Sequence, residues 1–323
     1  MDPSLYRSLI TRRGFRYSYY FSAPSKGKPV LVFAHSFLNT SHAWRYQVAF
    51  FKSRGYGLVV PDLLGVGKTD KPTDPFQYKM RLVVQDIIDI LDFEKIVKAV
   101  MVGHAWGCNI VGRMANYYPD RFIGFAFLGV GYFPPSKMTE FVAEYEDSDL
   151  DDEDDGVHSD CVGCWSFFTD NEAPKLIEKK FDSFFSLVFA DDLKLWTMNL
   201  ALPGATQAWI EADKKAQTIR FVPKEKELLN GNSEALLCFF KAAALGVDDQ
   251  DAQSIEAENL QVRQPVFFGY GKNDQLSPAA AGRISSAQHC PVLTVKEFDT
   301  GHWLMWEAKD QVNRTLLEWL QGL

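Results

Sequence analysis

The clearest chemical candidates in the chain are a carboxylate and an imidazole that each follow an apolar run. Asp274 comes after the run Pro265–Gly271, and His302 comes after the run Val292–Phe298. A histidine oriented by a carboxylate can act as a general base toward water or a substrate. Either residue alone also fits a structural role, as a turn carboxylate or a core histidine. The chemistry therefore depends on a third position.

That third position lies in the segment Gly103-His104-Ala105-Trp106-Gly107, between an apolar run and a helix-like segment. Glycines on both sides of a central residue also occur in an ordinary strand-to-helix turn. They are typical of a nucleophile elbow, a strained turn that projects its central side chain from the sheet. Position 105, Asp274 and His302 follow the order nucleophile, acid, base. Ala105 has no nucleophilic atom, so the pattern predicts a nucleophile position that cannot react.

Alternating strands and helices must hold these residues. The predicted strands are Lys28–Ser36, Gly57–Asp62, Lys98–Gly103, Phe122–Gly129, Pro265–Gly271 and Val292–Phe298, and the predicted helices are Arg81–Leu91, Cys108–Tyr118 and Gln311–Leu320. Near-continuous apolar strands are expected where helices cover both faces of a sheet. The alternation predicts an α/β fold with a doubly wound, mostly parallel sheet.

The alternation stops after Gly131 and resumes near Gln264, and the segments Glu172–Val188 and Ser233–Leu245 between them have helical periodicity. We therefore predict a core formed by residues 1–133 and 260–323, with a helical lid at residues 134–259. Residues 144–155 carry nine carboxylates in twelve positions. Such dense charge predicts a solvated loop, and the spacing of an EF-hand calcium site is absent.

The composition favours a soluble protein with a small-molecule substrate. No apolar run reaches the ~18 residues of a membrane span, and the N-terminal segment lacks a signal-peptide core. No basic stripe with interleaved aromatic residues points to nucleic acid. We expect a cytoplasmic monomer or homodimer that binds neither nucleic acid nor a membrane.

The five cysteines are scattered and odd in number, which favours reduced thiols over a disulfide framework. Cys161-x-x-Cys164, with His158 three residues earlier, has part of the spacing of a zinc site. A structural zinc site needs four ligands, and no second pair follows. We expect neither a metal nor an organic cofactor.

Three segments resemble epoxide hydrolases of the α/β-hydrolase superfamily. Gly103–Gly107 resembles their GHDWG elbow, with Ala105 where the family has aspartate. Pro61–Pro72 (PDLLGVGKTDKP) is similar to the family's PDLxGxGxSDKP segment, and Gly301–Trp303 to its histidine loop. The resemblance covers about residues 1–133 and 260–323, and it is weaker in the lid. It implies an α/β-hydrolase fold with a helical lid, or cap, insertion.

In that family the aspartate attacks an epoxide carbon to form an alkyl-enzyme ester, which water then hydrolyses to a diol. The resemblance implies that His302 is the base, that Asp274 orients it, and that the N–H groups of Phe37 and Trp106 hold the oxyanion. The residues that it places around the substrate are His35, His104, Cys164, Trp165, Phe239, Phe240 and Trp303.

The departures from the family pattern concern the nucleophile, the lid and the oxyanion loop. Two lid tyrosines that donate to the epoxide oxygen should fall near Cys164 and Trp165, and near Phe239 and Phe240. The family's His-Gly-x-Pro segment is His35-Ser36-Phe37-Leu38 here. Because the proline is missing, a cis peptide bond is no longer favoured in this loop, so its backbone is expected to differ.

Two explanations for Ala105 stay open at this level. An engineered aspartate-to-alanine change fits the retention of Asp274, His302, His104 and Trp106. A natural repurposing to a cyclisation or proton transfer with His302 as base fits the simultaneous loss of several lid groups. A non-catalytic ligand-binding protein is a third hypothesis. Haloalkane and fluoroacetate dehalogenases share the aspartate elbow, and Trp106 does not distinguish them from epoxide hydrolases. Serine esterases are less consistent with the sequence, because the elbow and the histidine loop lack their usual residues.

The lid residues predict a hydrophobic ligand. They include the bulky aromatic side chains Trp165, Phe167, Phe168, Phe181, Phe184, Phe185, Phe189, Trp196 and Trp209. Many of these are expected to pack the lid onto the core, while the rest line an apolar site with few polar groups. A hydrophobic epoxide is therefore expected, and similarity to fungal enzymes suggests a polyketide-like substrate of secondary metabolism.

Overall fold

The computed structural model describes residues 1–135, 163–229, 231–277 and 279–323. Its centre is an eight-stranded sheet in the order β1-β2-β4-β3-β5-β6-β7-β8. The strands are β1 (Tyr6–Ile10), β2 (Arg16–Ser22), β3 (Val30–Ala34), β4 (Gly57–Pro61), β5 (Ala99–His104), β6 (Phe122–Leu128), β7 (Val266–Gly271) and β8 (Leu293–Phe298). The β1–β2 and β2–β4 pairs are antiparallel, and all the other pairs are parallel.

The central strands are buried along their whole length. Every residue of β3, β4, β5 and β7 is buried, which explains why these segments are almost wholly apolar in sequence. Strand β8 forms an edge of the sheet, and only its last residue, Phe298, is buried. The doubly wound, mostly parallel α/β sheet predicted from the sequence is confirmed.

The helices of the first half of the chain are α1 (Arg45–Lys52), α2 (Met80–Phe93) and α3 (Trp106–Tyr117). The helices between β6 and β7 are α4 (Gly163–Thr169), α5 (Ala173–Lys179), α6 (Phe181–Val188), α7 (Lys194–Asn199), α8 (Ala205–Glu211), α9 (Pro223–Leu229), α10 (Ser233–Ala244) and α11 (Asp249–Gln253). After β7 come α12 (Ala279–His289), α13 (Leu304–Glu307) and α14 (Lys309–Gln321). Short 3-10 helices lie at Pro3–Leu5, Ser41–Trp44, Pro75–Tyr78, Pro119–Arg121 and Ala257–Leu260.

The three predicted core helices correspond to α2, α3 and α14, with ends that differ by at most two residues. The predicted helical segment Glu172–Val188 contains two helices, because the backbone of Lys180 leaves the helical region between α5 and α6. The sequence does not predict β1, β2, α1, α12 and α13 individually, nor α4, α7, α8, α9 and α11 between β6 and β7. Strand β2 (RYSYYFS) is rich in tyrosine rather than aliphatic residues, although five of its residues are buried.

The helices between β6 and β7 interrupt the sequence but not the sheet, because β6 and β7 pair directly. The division into a core and a lid at residues 134–259 stays a prediction. The acidic segment 144–155, His158 and Cys161 lie outside the described residues. Within the described ranges, no helix is long and apolar enough to cross a membrane.

Candidate active site

Ala105 lies in a strained turn between β5 and α3. Its φ of 47° and ψ of −115° are rarely adopted by a residue with a side chain. Its N–H donates to the carbonyl of Leu128 at the end of β6 over 2.9 Å, and its carbonyl accepts from the N–H of Cys108 over 2.8 Å. These two hydrogen bonds hold the turn between strand and helix.

The two glycines of the elbow permit a very close approach of α3 to the sheet. A Cβ atom added at Gly103 would lie 2.6 Å from the carbonyl oxygen of Gly107. A Cβ added at Gly107 would lie 2.3 Å from the carbonyl oxygen of Ala34 in β3. Both distances are far below van der Waals contact, so the glycine pattern noted in the sequence has a steric cause at both positions.

His302 and Asp274 form a buried hydrogen-bonded pair. Nδ1 of His302 lies 2.8 Å from Oδ2 of Asp274, and both side chains are almost fully buried. The other carboxylate oxygen accepts from the backbone N–H groups of Leu276 and Ser277 at 2.9 and 3.1 Å. Within the described residues, Nε2 of His302 has no hydrogen-bond partner. This arrangement leaves Nε2 as the nitrogen that can take a proton.

His104 contacts His302 from the elbow side. Nε2 of His104 lies 2.8 Å from the backbone carbonyl oxygen of His302, and the ring centroids are 4.9 Å apart. Burial lowers the pKa of His104 well below its usual value, and the neighbouring His302 lowers it further. The neutral ring therefore carries its proton on Nε2 and donates it to the carbonyl.

His35 links the loop after β3 to the loop after β4. Its Nδ1 donates to the carbonyl oxygen of Ser36 over 2.8 Å, and its Nε2 accepts from the N–H of Leu63 over 2.9 Å. Burial lowers the pKa of His35, which favours this neutral form. Both ring nitrogens are thus used within the protein. The predicted contact of His35 and His104 with substrate stays a prediction.

The two predicted oxyanion donors lie after β3 and at the start of α3. Trp106 is the first residue of α3, so its N–H has no acceptor within the helix. Phe37 precedes Leu38, which has a φ of 59° in place of the family's proline. Because parallel strands end at the same sheet edge, both donors belong to the edge that carries His302 and Asp274.

An aromatic cluster joins this edge to helices between β6 and β7, and it consists of Phe37, Trp106, Trp165, Phe168 and Phe240. The ring centroid of Phe240 lies 4.6 Å from Phe37, 4.8 Å from Trp106, 4.8 Å from Trp165 and 5.0 Å from Phe168. The two segments near which the resemblance places the family's tyrosines, on α4 and α10, therefore meet at Trp106, the residue next to Ala105.

Phe239 is directed differently from Phe240. Its ring lies 4.9 Å from Tyr78 and 6.1 Å from Trp106, so it packs mainly on the core side of α10.

Cys164 is buried on α4 beside Trp165. In the part of the chain that the structure describes, no group of three or more His, Cys, Asp or Glu side chains could hold a metal ion.

Two tryptophans, Trp303 and Trp196, contact the ring of His302. Trp303 lies 5.0 Å from His302 and 5.3 Å from His104, and it stacks on Phe189 from the lid at 5.1 Å. Trp196 on α7 meets His302 edge-on at 5.8 Å. The sequence predicts Trp196 only as one of the lid aromatic residues, because no motif or spacing connects α7 with the histidine loop.

A family model described as alpha/beta hydrolase fold matches residues 29–309. An epoxide hydrolase of Caballeronia sordidicola is 26% identical over 305 residues, which cover 91% of this chain and 88% of that protein. Human epoxide hydrolase 4 is 36% identical over 147 residues, but this match covers only 45% of this chain and 40% of that protein.

Solved structures agree with this fold. Epoxide hydrolase A from Mycobacterium thermoresistibile has a TM-score of 0.77 at 21% identity, with 98% of each chain covered. An epoxide hydrolase from an endophytic Streptomyces has a TM-score of 0.79 at 21% identity, with 98% of this chain and 95% of that chain covered. With the family model spanning both sides of the insertion, the chain belongs to the alpha/beta hydrolase fold family.

Proposed function

We propose that this chain has the active site of an epoxide hydrolase for hydrophobic epoxides from which the nucleophile has been removed. One observation carries this proposal. Ala105 occupies a strained elbow conformation, while the His302–Asp274 pair is complete. Strained backbone of this kind is found where a side chain must be held in a functional position. A methyl group has no such requirement, so the turn is best explained by a reactive side chain at position 105.

The relatives support a carboxylate at that position. The proteins similar to this chain over most of its length are named as epoxide hydrolases. With aspartate at position 105, attack of its carboxylate on an epoxide carbon would break one C–O bond of the ring and form an ester, and the released alkoxide oxygen would take a proton from water. His302 would then remove a proton from water as the water attacks the ester carbonyl, and the N–H groups of Phe37 and Trp106 would stabilise the oxyanion. Asp274 would stabilise the histidine that carries the proton.

The aromatic cluster supports a hydrophobic substrate. Trp165 and Phe240 lie against Trp106, the neighbour of Ala105, and Phe37 packs on Phe240. The indole N–H of Trp165 is the single hydrogen-bonding group among the side chains of Phe37, Trp165 and Phe240. An apolar epoxide, including a polyketide-like one, matches such surroundings. A cytoplasmic monomer or homodimer that needs no cofactor remains part of the proposal.

The decisive experiment restores the carboxylate with Ala105→Asp. We expect the variant to convert aryl or long-chain alkyl epoxides to diols, which the unaltered chain does not do by the ester route. Adding His302→Ala to this variant should block the second step, so the ester accumulates and raises the protein mass by that of the epoxide. A folded Ala105→Asp variant that yields neither diol nor ester contradicts the proposal.

A second candidate is a natural enzyme in which His302 catalyses a proton transfer or cyclisation. It is favoured by the aromatic side chains at both lid segments, because a single aspartate-to-alanine change does not explain Trp165 and Phe240 together. In the unaltered chain, His302→Ala should then abolish the activity. Stoichiometric ligand binding without any turnover would instead favour the non-catalytic binding protein.

A further inference from the structure

The carboxylate of Glu307 bridges the two residues on either side of His302. Its Oε2 accepts from the N–H of Gly301 over 2.7 Å, and its Oε1 accepts from the N–H of Trp303 over 3.0 Å. Glu307 is the last residue of α13, and its side chain reaches back to the loop that precedes this short helix. One side chain thus restrains the backbone before and after the proposed base.

The remaining contacts of His302 complete a set of restraints on this residue. Its carbonyl oxygen accepts from His104, and its Nδ1 donates to Asp274, each over 2.8 Å. His104 and Asp274 come from the ends of β5 and β7, whereas Glu307 comes from the segment that follows His302 itself. The only ring atom of His302 able to take a proton, Nε2, is left without a partner within the described residues.

Gly301 lies between the carboxylate of Glu307 and the side chain of Leu193. A Cβ atom at this position would lie 3.4 Å from Oε1 of Glu307 and 3.1 Å from a methyl carbon of Leu193, which comes from the lid. The backbone of Gly301 is therefore held closely between Glu307 and the lid. Charge-assisted hydrogen bonds from backbone N–H groups to a carboxylate are about twice as strong as neutral ones.

We propose that Glu307 is a positioning residue for His302: it fixes the peptide groups at Gly301 and Trp303 so that the imidazole stays aligned with Asp274 and with position 105. This inference rests on the proposed role of His302 as the base. It assigns no contact between Glu307 and substrate. The carboxylate acts only through the backbone on both sides of the histidine.

A purely structural role is the competing explanation. Trp303 is the N-cap residue of α13, and a glutamate that accepts from an N-cap N–H stabilises a helix start wherever it occurs. Such a role would lower stability when Glu307 is replaced but would leave the His302–Asp274 hydrogen bond as it is. The hydrogen bond itself must therefore be measured.

The test follows the Nδ1 proton of His302 by NMR in the full chain with 15N-labelled histidine. The downfield signal of this proton is assigned by its loss in Asp274→Asn. We expect Glu307→Ala to broaden or remove the signal, because the unrestrained loop lets the ring leave Asp274. Glu307→Gln keeps one acceptor oxygen, and we expect it to retain a weakened signal. The matched control is Asp74→Ala, which removes a carboxylate cap on the N–H of Phe76 elsewhere on the chain.

The outcomes separate the two explanations. An unchanged Nδ1 signal in folded Glu307→Ala, or in folded Glu307→Gln if the first variant does not fold, overturns the inference. A signal lost equally in Asp74→Ala also overturns it, because a remote cap would then have the same effect. This readout needs no turnover, so it stands even if Ala105→Asp proves inactive and the proposed function fails.

Activity gives a second readout where the Ala105→Asp variant turns over. Because a misplacement of about 1 Å can cost about 100-fold in rate, we expect Glu307→Ala in that background to lower kcat by about 10- to 100-fold. KM for the epoxide should change little, since Glu307 is not assigned a contact with substrate. Equal kcat values with and without Glu307→Ala contradict the inference.

Discussion

Nε2 of His104 donates to the backbone carbonyl oxygen of His302 over 2.8 Å, and this hydrogen bond joins the elbow to the histidine loop. The two residues lie 198 positions apart in the chain. Burial favours a neutral His104, because a second ring proton, on Nδ1, would lie without an acceptor in a buried site next to His302. The protonation state of His104 is therefore linked to the integrity of the proposed site.

This linkage predicts how stability changes with pH. Burial lowers the pKa of His104 in the folded state below its value of 6.5 in the unfolded chain. The unfolded state thus binds the proton more readily, so the stabilising contribution is complete above pH ~6.5 and is lost as the pH falls. We expect this histidine to lower the free energy of unfolding by up to about 1.4 kcal/mol per pH unit below that point.

The variant His104→Gln isolates the contribution of this ring. Glutamine can donate from its amide to the His302 carbonyl but does not titrate, so urea unfolding between pH 7.5 and 5 should show a smaller loss of stability than in the unaltered chain. His35, whose pKa burial also lowers, contributes in the same direction and is left in place in both proteins. Equal slopes in the two proteins would show that His104 is not the titrating group.

The close approach of α3 to β3 predicts opposite effects for two glycines of the same helix. Gly107→Ala would place a Cβ 2.3 Å from the carbonyl oxygen of Ala34, where backbone atoms cannot move aside easily. Gly112→Ala would place one 3.5 Å from the ring of Tyr132, an ordinary contact. We expect Gly107→Ala to unfold the chain or to lower its thermal stability sharply. Gly112→Ala should raise the stability by about 1 kcal/mol, because alanine is favoured over glycine by about that amount in a helix interior. Comparable melting temperatures for the two variants would contradict this steric explanation.

The sequence was sufficient for the elements with strong local signals. The apolar runs of β3 to β7 and the helical periodicity of α2, α3 and α14 follow from burial patterns that can be read directly. Strand β2 is not predicted because three of its five buried residues are tyrosines, two of which donate from their hydroxyl groups to Asp86 and Glu94. Aromatic residues with polar ends do not give the alternation of a typical strand.

Prediction of the site residues from the sequence has the same limit, because only residues marked by local motifs can be found. Ala105, Asp274 and His302 could be proposed from motifs, because glycines and strand ends mark their positions. The contacts of Trp196 with His302 and of Glu307 with Gly301 and Trp303 depend on how the chain folds back on itself. Likewise, the sequence does not show that both nitrogens of His35 are used within the protein. Tertiary contacts, not local propensity, determine these roles.

The strain at the elbow predicts that a glycine is more stable there than alanine. A residue held in such a conformation costs about 1–3 kcal/mol, whereas the extra backbone entropy of glycine costs about 0.5–1 kcal/mol. We therefore expect Ala105→Gly to raise the free energy of unfolding by about 1 kcal/mol, within the range of about 0–2.5 kcal/mol that the difference of these two terms allows. The control is Ala115→Gly, a buried position of α3 with helical backbone, which should lose about 1–2 kcal/mol. Urea unfolding compares the three proteins, and destabilisation by both substitutions would argue against strain at Ala105.

The aromatic cluster predicts where a hydroxyl group would assist epoxide opening. Phe240 lies 4.8 Å from Trp106, next to position 105, whereas Phe239 lies 6.1 Å from Trp106 and packs on Tyr78. In the Ala105→Asp background, Phe240→Tyr would supply a donor to the oxygen of the opening epoxide, a contribution that typically amounts to about 100-fold or more in well-aligned sites. Because the surrounding rings are not arranged for a hydroxyl, we expect about a tenfold rise in kcat for diol formation, measured against Phe239→Tyr in the same background. The control should leave kcat almost unchanged, since its hydroxyl would enter the contact with Tyr78. If both tyrosines raise kcat equally, the gain cannot come from the position of Phe240 beside the elbow.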